Sequence, residues 1–141
     1  MAWSGLDTFD TAIQKADSWL KEIMTELNTD SRRVAYTSLR AVLHALRDRL
    51  IIDEAVDLGA QLPLLIKGIY YDDWDPSKTP VKDRHIDDFI AHIKERYRGD
   101  GQPDYQKMAK SVFTLLKRRV TEGEISDVKG MLPQEFRPLW D

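Results

Sequence analysis

Cysteine is absent from the 141 residues. That excludes a disulfide framework, a thiolate metal site and a cysteine nucleophile. Long apolar runs are missing too. The longest, Leu62 to Ile66, is far short of the roughly 20 residues a membrane-spanning helix needs. The opening Met1-Ala-Trp-Ser-Gly-Leu-Asp7 has neither a basic segment nor an apolar core behind it, so no signal peptide is expected there and the expected location is cytoplasmic. No strong excess of charge of either sign exists. With 21 basic and 24 acidic residues the net charge is −3, which favours neither nucleic acid nor a membrane surface as a bulk partner. Also lacking are a glycine-rich phosphate loop, a Gly-x-Ser-x-Gly elbow, and a His-Glu-x-x-His pair. Nothing nominates a catalytic residue or a cofactor, and no enzyme activity is expected.

What is present is helical periodicity. Phe9, Ile13, Ala16, Leu20, Ile23, Met24 and Leu27 fall at spacings of three and four, predicting a helix over about 8–27 with Thr8 as its N-cap. Ala35, Leu39, Val42, Leu43, Leu46 and Leu50 predict a second. Asp53 is placed to cap a short third, and Pro63 to begin a fourth through Ile66, Ile69 and Tyr70. After the acidic, proline-bounded linker 72–82, the period resumes beyond Asp83 at Ile86, Phe89, Ile90, Ile93 and Tyr97. Past Pro103 it continues at Tyr105, Ala109, Val112, Phe113, Leu116 and Val120. Thr121-x-x-Glu124 has the form of a capping box.

The two stretches share one pattern. Leu62-Pro63 and Leu132-Pro133 lie 70 residues apart. The same displacement sets Trp19 on Phe89, Ile23 on Ile93, Leu43 on Phe113, Leu46 on Leu116, Arg49 on Arg119, Glu54 on Glu124, Asp57 on Asp127 and Tyr70 on Trp140. An internal repeat is the economical reading. The expectation is one all-α domain over 1–141, with about eight helices in two tandem four-helix units, 8–71 and 83–141. Periodicity leaves open whether a two-fold or a solenoid-like translation relates them.

Ala41-Val-Leu-His-Ala-Leu-Arg-Asp-Arg-Leu50, with Ala60-Gln-Leu-Pro63, Gly68-Ile-Tyr-Tyr71 and Trp74-Asp-Pro76, resembles the bacterial family catalogued as domain of unknown function 2267. The resemblance covers nearly the whole chain. It implies a small, helical, cytosolic protein and supplies no catalytic or cofactor residues. The family pattern carries Gly before Trp-Asp-Pro. This chain has Asp73 there, so the turn is expected to differ locally.

Four constellations remain. His85, Asp88 and His92 fall at i, i+3 and i+7, a spacing suited to a transition metal. The same residues make an ordinary solvated face, and the positions 70 residues earlier, Lys15, Ser18 and Glu22, need no metal; none is expected. Glu54 and Asp57, like Glu124 and Asp127, read as first-turn acids that complement the helix dipole, with Arg49 and Arg119 closing the preceding helices. Arg33, Arg40, His44 and Arg47 form a basic stripe opposite the apolar face, echoed by Lys107, Lys110 and Lys117. No aromatics interleave with it, which points away from single-stranded nucleic acid. Finally Tyr71 ends the first unit, and Trp74 and Asp75 sit in the linker that follows it, which has no counterpart in the other unit. Tyr71, Trp74, Asp75, Arg40, Arg47, Lys110 and Lys117 are therefore the candidate partner-binding residues. The expected function is a non-catalytic helical interaction module for a macromolecule, a protein rather than nucleic acid or membrane. The alternative is a small-ligand or metal-binding protein with a pocket at the repeat junction.

Overall fold

The computed structural model describes residues 4–141; Met1 to Trp3, where the reading of a leaderless start begins, lie outside it. The described residues form seven α-helices and two 3₁₀ segments, with no strand: α1 (Asp7–Leu27), α2 (Arg32–Arg49), α3 (Ile52–Ala60), α4 (Leu64–Tyr71), a 3₁₀ turn (Pro76–Lys78), α5 (Ile86–Arg96), α6 (Tyr105–Arg119), α7 (Glu122–Met131) and a closing 3₁₀ segment (Gln134–Trp140). No helix among them is long and apolar enough to cross a membrane. The all-α class stands.

Helix ends differ from expectation in instructive ways. α1 begins at Asp7 behind Leu6, not behind a Thr8 cap, and Ser4 Oγ donates to Asp10 Oδ1 at 2.6 Å. Ile51, not Asp53, precedes α3, so Asp53 acts through the helix dipole and not as a cap. Pro63 and Pro133 both occupy the residue before their helices, in extended conformation with φ −61° and −56°. α5 starts behind His85 and not Asp83. Its first N–H, on Ile86, is satisfied from a distance by Glu135 Oε1 at 3.1 Å. Where an eighth α-helix was expected the chain winds as 3₁₀, with Pro138 inside it. Pro138 has no N–H to give to the carbonyl a turn back.

α2 is the centre of the molecule. α1, α4, α5 and α6 all pack on it, and eleven of its residues, Ala35 to Arg47, are buried. Packing partners also exchange between the halves: α1 lies on α6 and α5 on α2, while α2 meets α6 and α3 meets α7. Trp19, Ile23, Leu39, Leu43 and Leu46 share a core with Phe89, Ile93, Phe113, Leu116 and Phe136. Phe113 packs its ring 4.4 Å from that of Trp140, and Phe89 sits 5.0 Å from Phe136. The helices packed around α2 thus enclose a single apolar interior.

Candidate functional site

The linker turns back onto α2 and α4. Tyr70 is buried and its hydroxyl donates to the Ala55 carbonyl at 2.7 Å. Burial raises its pKa above the usual phenol value. Tyr71 packs edge-on to Tyr70 at 5.0 Å and presents its other side to Trp74, ring to ring at 5.6 Å. Trp74 is half-buried, and the Arg47 guanidinium carbon stands 6.0 Å from its ring centre. Asp75 is exposed and turned to the linker itself: its Oδ1 accepts from Ser77 N–H at 3.1 Å and Ser77 Oγ at 2.6 Å. Those bonds hold its carboxyl below the usual range.

Removing the Trp74 indole therefore removes the cover of Tyr71 and Arg47 together. Trp74→Ala should lower stability by about 3 kcal/mol, at the lower end for large aromatics because the ring is only half-buried. Urea denaturation at neutral pH measures it. A variant that unfolds with wild-type free energy would show that the ring covers nothing the fold needs.

The basic stripe is broken on α2. Arg33 and Lys107 are exposed and Arg40 and Lys110 half-buried, but His44 and Arg47 have no exposed area. Periodicity places them opposite the apolar face of an isolated helix; four neighbours around α2 leave its second half no solvated side. Arg47 instead donates from Nη1 to the carbonyls of Tyr70 at 2.7 Å and Asp72 at 2.9 Å, and from Nε to Asp48 Oδ1 at 2.8 Å. These carbonyls are free ends of α4, which no further helical turn can satisfy. Lys117, exposed along its side chain, does the same for the closing segment by donating to the Trp140 carbonyl. Arg40 leans on Asp72 at 3.4 Å. Arg47 is thus withdrawn from any partner-binding surface.

His44 is held neutral, with its pKa lowered to about 4 by burial and by the nearby Arg47, Arg40 and Arg96 charges. Its Nε2 lies 2.7 Å from the Ile69 carbonyl, so it carries the proton, and Nδ1 faces Arg96 Nη1 at 3.4 Å. Arg96 also pairs with Asp48 at 3.1 Å and with Asp73 of the linker at 3.4 Å. A cleft of about 530 Å³ opens here, lined by Asp48, Asp73, Asp75, His92, Arg96 and others, but Arg96 already spans its wall.

The structure does not bring His85, Asp88 and His92 together. His85 Nδ1 turns to Glu135 at 3.2 Å and His92 Nε2 to Asp83 at 2.7 Å. What it does bring together is the two acid pairs. α3 meets α7, and one oxygen each from Glu54, Asp57 and Glu124 lie within 4.8 Å of one another. Thr121 Oγ1 accepts from Glu124 N–H at 3.3 Å, so half of the capping box forms. The return bond is missing: Thr121 N–H donates to Gln61 Oε1 at 3.3 Å instead, and the Glu124 carboxyl keeps a buried Oε2 with no partner. Burial, a hydrogen bond shared with Glu54, and the charges of Glu54, Asp57 and Asp127 push its pKa up to about 8. Helix-dipole reasoning saw each pair on its own helix. The displacement of 70 that matches Glu54 to Glu124 was the signal that they could meet.

Asp73 takes φ +62°, the left-handed region. Glycine would adopt it freely, and among other residues aspartate is one of the few that enter it readily. The turn before Trp74-Asp-Pro76 is therefore the kind for which a glycine pattern is written. Residues 16–139 match the family described as an uncharacterized conserved protein, DUF2267. The chain belongs to that family. The match begins midway along α1, so Ser4 to Lys15 stand before it, and it takes in the linker, both acid pairs and α4. No curated protein matches the chain.

Proposed function

We propose that the protein is a non-catalytic helical interaction module whose partner docks on the hairpin of α3 and α4. One comparison carries this reading. Ile51, Ile52, Val56, Leu64 and Leu65 lie on or beside these two helices, and each is between 42% and 56% exposed. The residues 70 positions further on are Thr121, Glu122, Ser126, Gln134 and Glu135, polar at every one. Polar side chains at the matching places support a role outside the chain for the apolar ones. Asp53 and Asp57 are exposed on α3 beside them. The partner this surface suits is a protein with an apolar anchor flanked by basic residues.

Two quasi-equivalent units related by an approximate two-fold fit the same picture. Exchange of α1 with α5, α2 with α6 and α3 with α7 carries the packing of α1 on α6 into that of α5 on α2, and α3 on α7 into itself. This exchange favours a two-fold over a translation. The paired carbonyl contacts of Arg47 with Tyr70 and Lys117 with Trp140 support it further.

The test exchanges the surface for its own counterpart: Ile52→Glu, Val56→Ser, Leu64→Gln and Leu65→Glu together, which should melt within a few degrees of wild type. A photo-crosslinking residue at Lys67 or Gly68 is then introduced in both backgrounds in the source cells. The reading predicts a discrete protein adduct in the wild-type background that the fourfold variant loses. Equal adducts in the two backgrounds would refute it. An adduct that proves to be a second copy of this chain, with dimers in analytical ultracentrifugation, would replace it by self-association.

A further inference from the structure

The carboxylates between α3 and α7 do more than complement helix dipoles. Dipole stabilisation needs an acid in the first turn, and it is served as well by one that faces solvent. Glu54 and Glu124 instead turn inward, 7% and 9% exposed. The Oε2 atom of each is buried with no hydrogen-bond partner. Each pairs with no lysine, arginine or histidine among the described residues, although 13 such pairs exist elsewhere, from Lys21–Asp17 to Arg119–Glu22. The two carboxyl groups share one hydrogen bond, yet the orphaned oxygen that each keeps is costly to bury unless something positive lies beside it. Asp57 reaches the same point from the solvent side, and Asp127 adds a fourth negative charge nearby.

We propose that Glu54, Asp57 and Glu124 bind a hard divalent cation that bridges α3 and α7. The donor set is oxygen alone, which suits Ca²⁺, Mg²⁺ or Mn²⁺ rather than a metal that prefers imidazole or thiolate. The spacing fits. Oxygens no more than 4.8 Å apart can share an ion at 2.3–2.6 Å from each, the range for Ca²⁺, and a smaller ion needs them only slightly closer. Exposed Asp57 leaves one side for ordered water to complete the coordination sphere. Because α3 belongs to the first half of the chain and α7 to the second, the ion ties the halves together and stabilises the folded state by mass action. The inference does not rest on the apolar surface of the α3–α4 hairpin.

Mn²⁺ is the probe. The full chain, freed of metal with chelator and then exchanged into plain buffer at pH 7.5, is titrated with Mn²⁺ while the free-ion electron paramagnetic resonance signal is followed. Ca²⁺ and Mg²⁺ are tested as competitors. The expected result is saturable uptake of one ion per chain, displaced by Ca²⁺ or Mg²⁺, with an unfolding temperature that climbs as ion is added. Glu54→Gln, Asp57→Asn and Glu124→Gln should each weaken uptake at least tenfold, while Glu26→Gln, far along α1, leaves it unchanged. The Gln variants keep side-chain shape, and their melting in chelator establishes that they fold. No saturable uptake at concentrations up to about 10 mM, beyond the weakest protein sites, would overturn the proposal. So would uptake that survives all three substitutions. If Glu54 and Glu124 merely share a proton, the unfolding temperature will not respond to any of the ions, and that outcome also overturns it.

Discussion

Arg47→Met should destabilise the protein by about 3–5 kcal/mol, although methionine keeps most of the buried stem. The guanidinium has no exposed area, and three of its bonds end on groups with few alternatives. The carbonyls of Tyr70 and Asp72 lose their donor at the end of α4, and Asp48 is left with Arg96 alone. Unsatisfied buried acceptors cost more than the net worth of the bonds that served them. Trp74 loses the cation under its ring at the same time. Arg47→Lys should recover little, because a single ammonium cannot reach two carbonyls and a carboxylate in the planar fork that arginine presents. Lys117→Met, which removes one bond from an exposed side chain, should cost about 1 kcal/mol. Urea denaturation of the three variants orders them. An Arg47→Met protein within 1 kcal/mol of wild type would mean that water reaches those carbonyls and that the interior around α4 is open.

Glu124→Gln should abolish the fall in stability that rising pH brings above neutrality, measured in chelator by denaturation between pH 4 and 9. The folded-state pKa of Glu124, about 8, lies above that of the unfolded chain, so between about 4.5 and 8 the native state holds a proton that the unfolded state has lost. Wild-type stability from this group is full below pH 4.5 and declines as pH rises toward 8. Glu54, Asp57 and Asp127 from α3 and α7 face it, and no base does. His44 works in the other direction. Its folded-state pKa of about 4 lies below the free value of 6.5, so stability from it is full above 6.5 and falls by about 3 kcal/mol as pH drops to 4. Between about 4.5 and 6.5 the two slopes oppose each other, and above 6.5 Glu124 acts alone. The variant should match wild type near pH 4.5 and exceed it by about 2 kcal/mol at pH 8.5, about half the full shift because Glu124 shares its proton with Glu54. Stability of the variant should then rise from pH 4 to 6.5 and stay level beyond. Parallel profiles for the two proteins would show that Glu124 ionises freely in the native state.

Sequence alone determined seven α-helices and their order, because amphipathic spacing and proline positions act over a few residues. Leu39, Leu43 and Leu46, spaced three and four apart, are buried as their spacing demands, and Pro63 and Pro133 mark the same kind of boundary. The family was legible too, in residues from Ala41 to Pro76. What local pattern could not decide was which face of a helix meets water. Arg47 and His44 carry polar groups opposite an apolar stripe, the usual mark of a solvated face, yet α2 is surrounded by four helices and has no such face where they lie. Glu54 and Glu124 follow first-turn preference so well that their helices alone explain them. Only the contact of α3 with α7 sets them against each other, 70 residues apart in the chain, and turns two ordinary helix-start acids into a buried, electrostatically opposed pair. Periodicity reports a helix's own geometry; burial and charge coupling depend on distances between helices, and those exist only once the chain has folded.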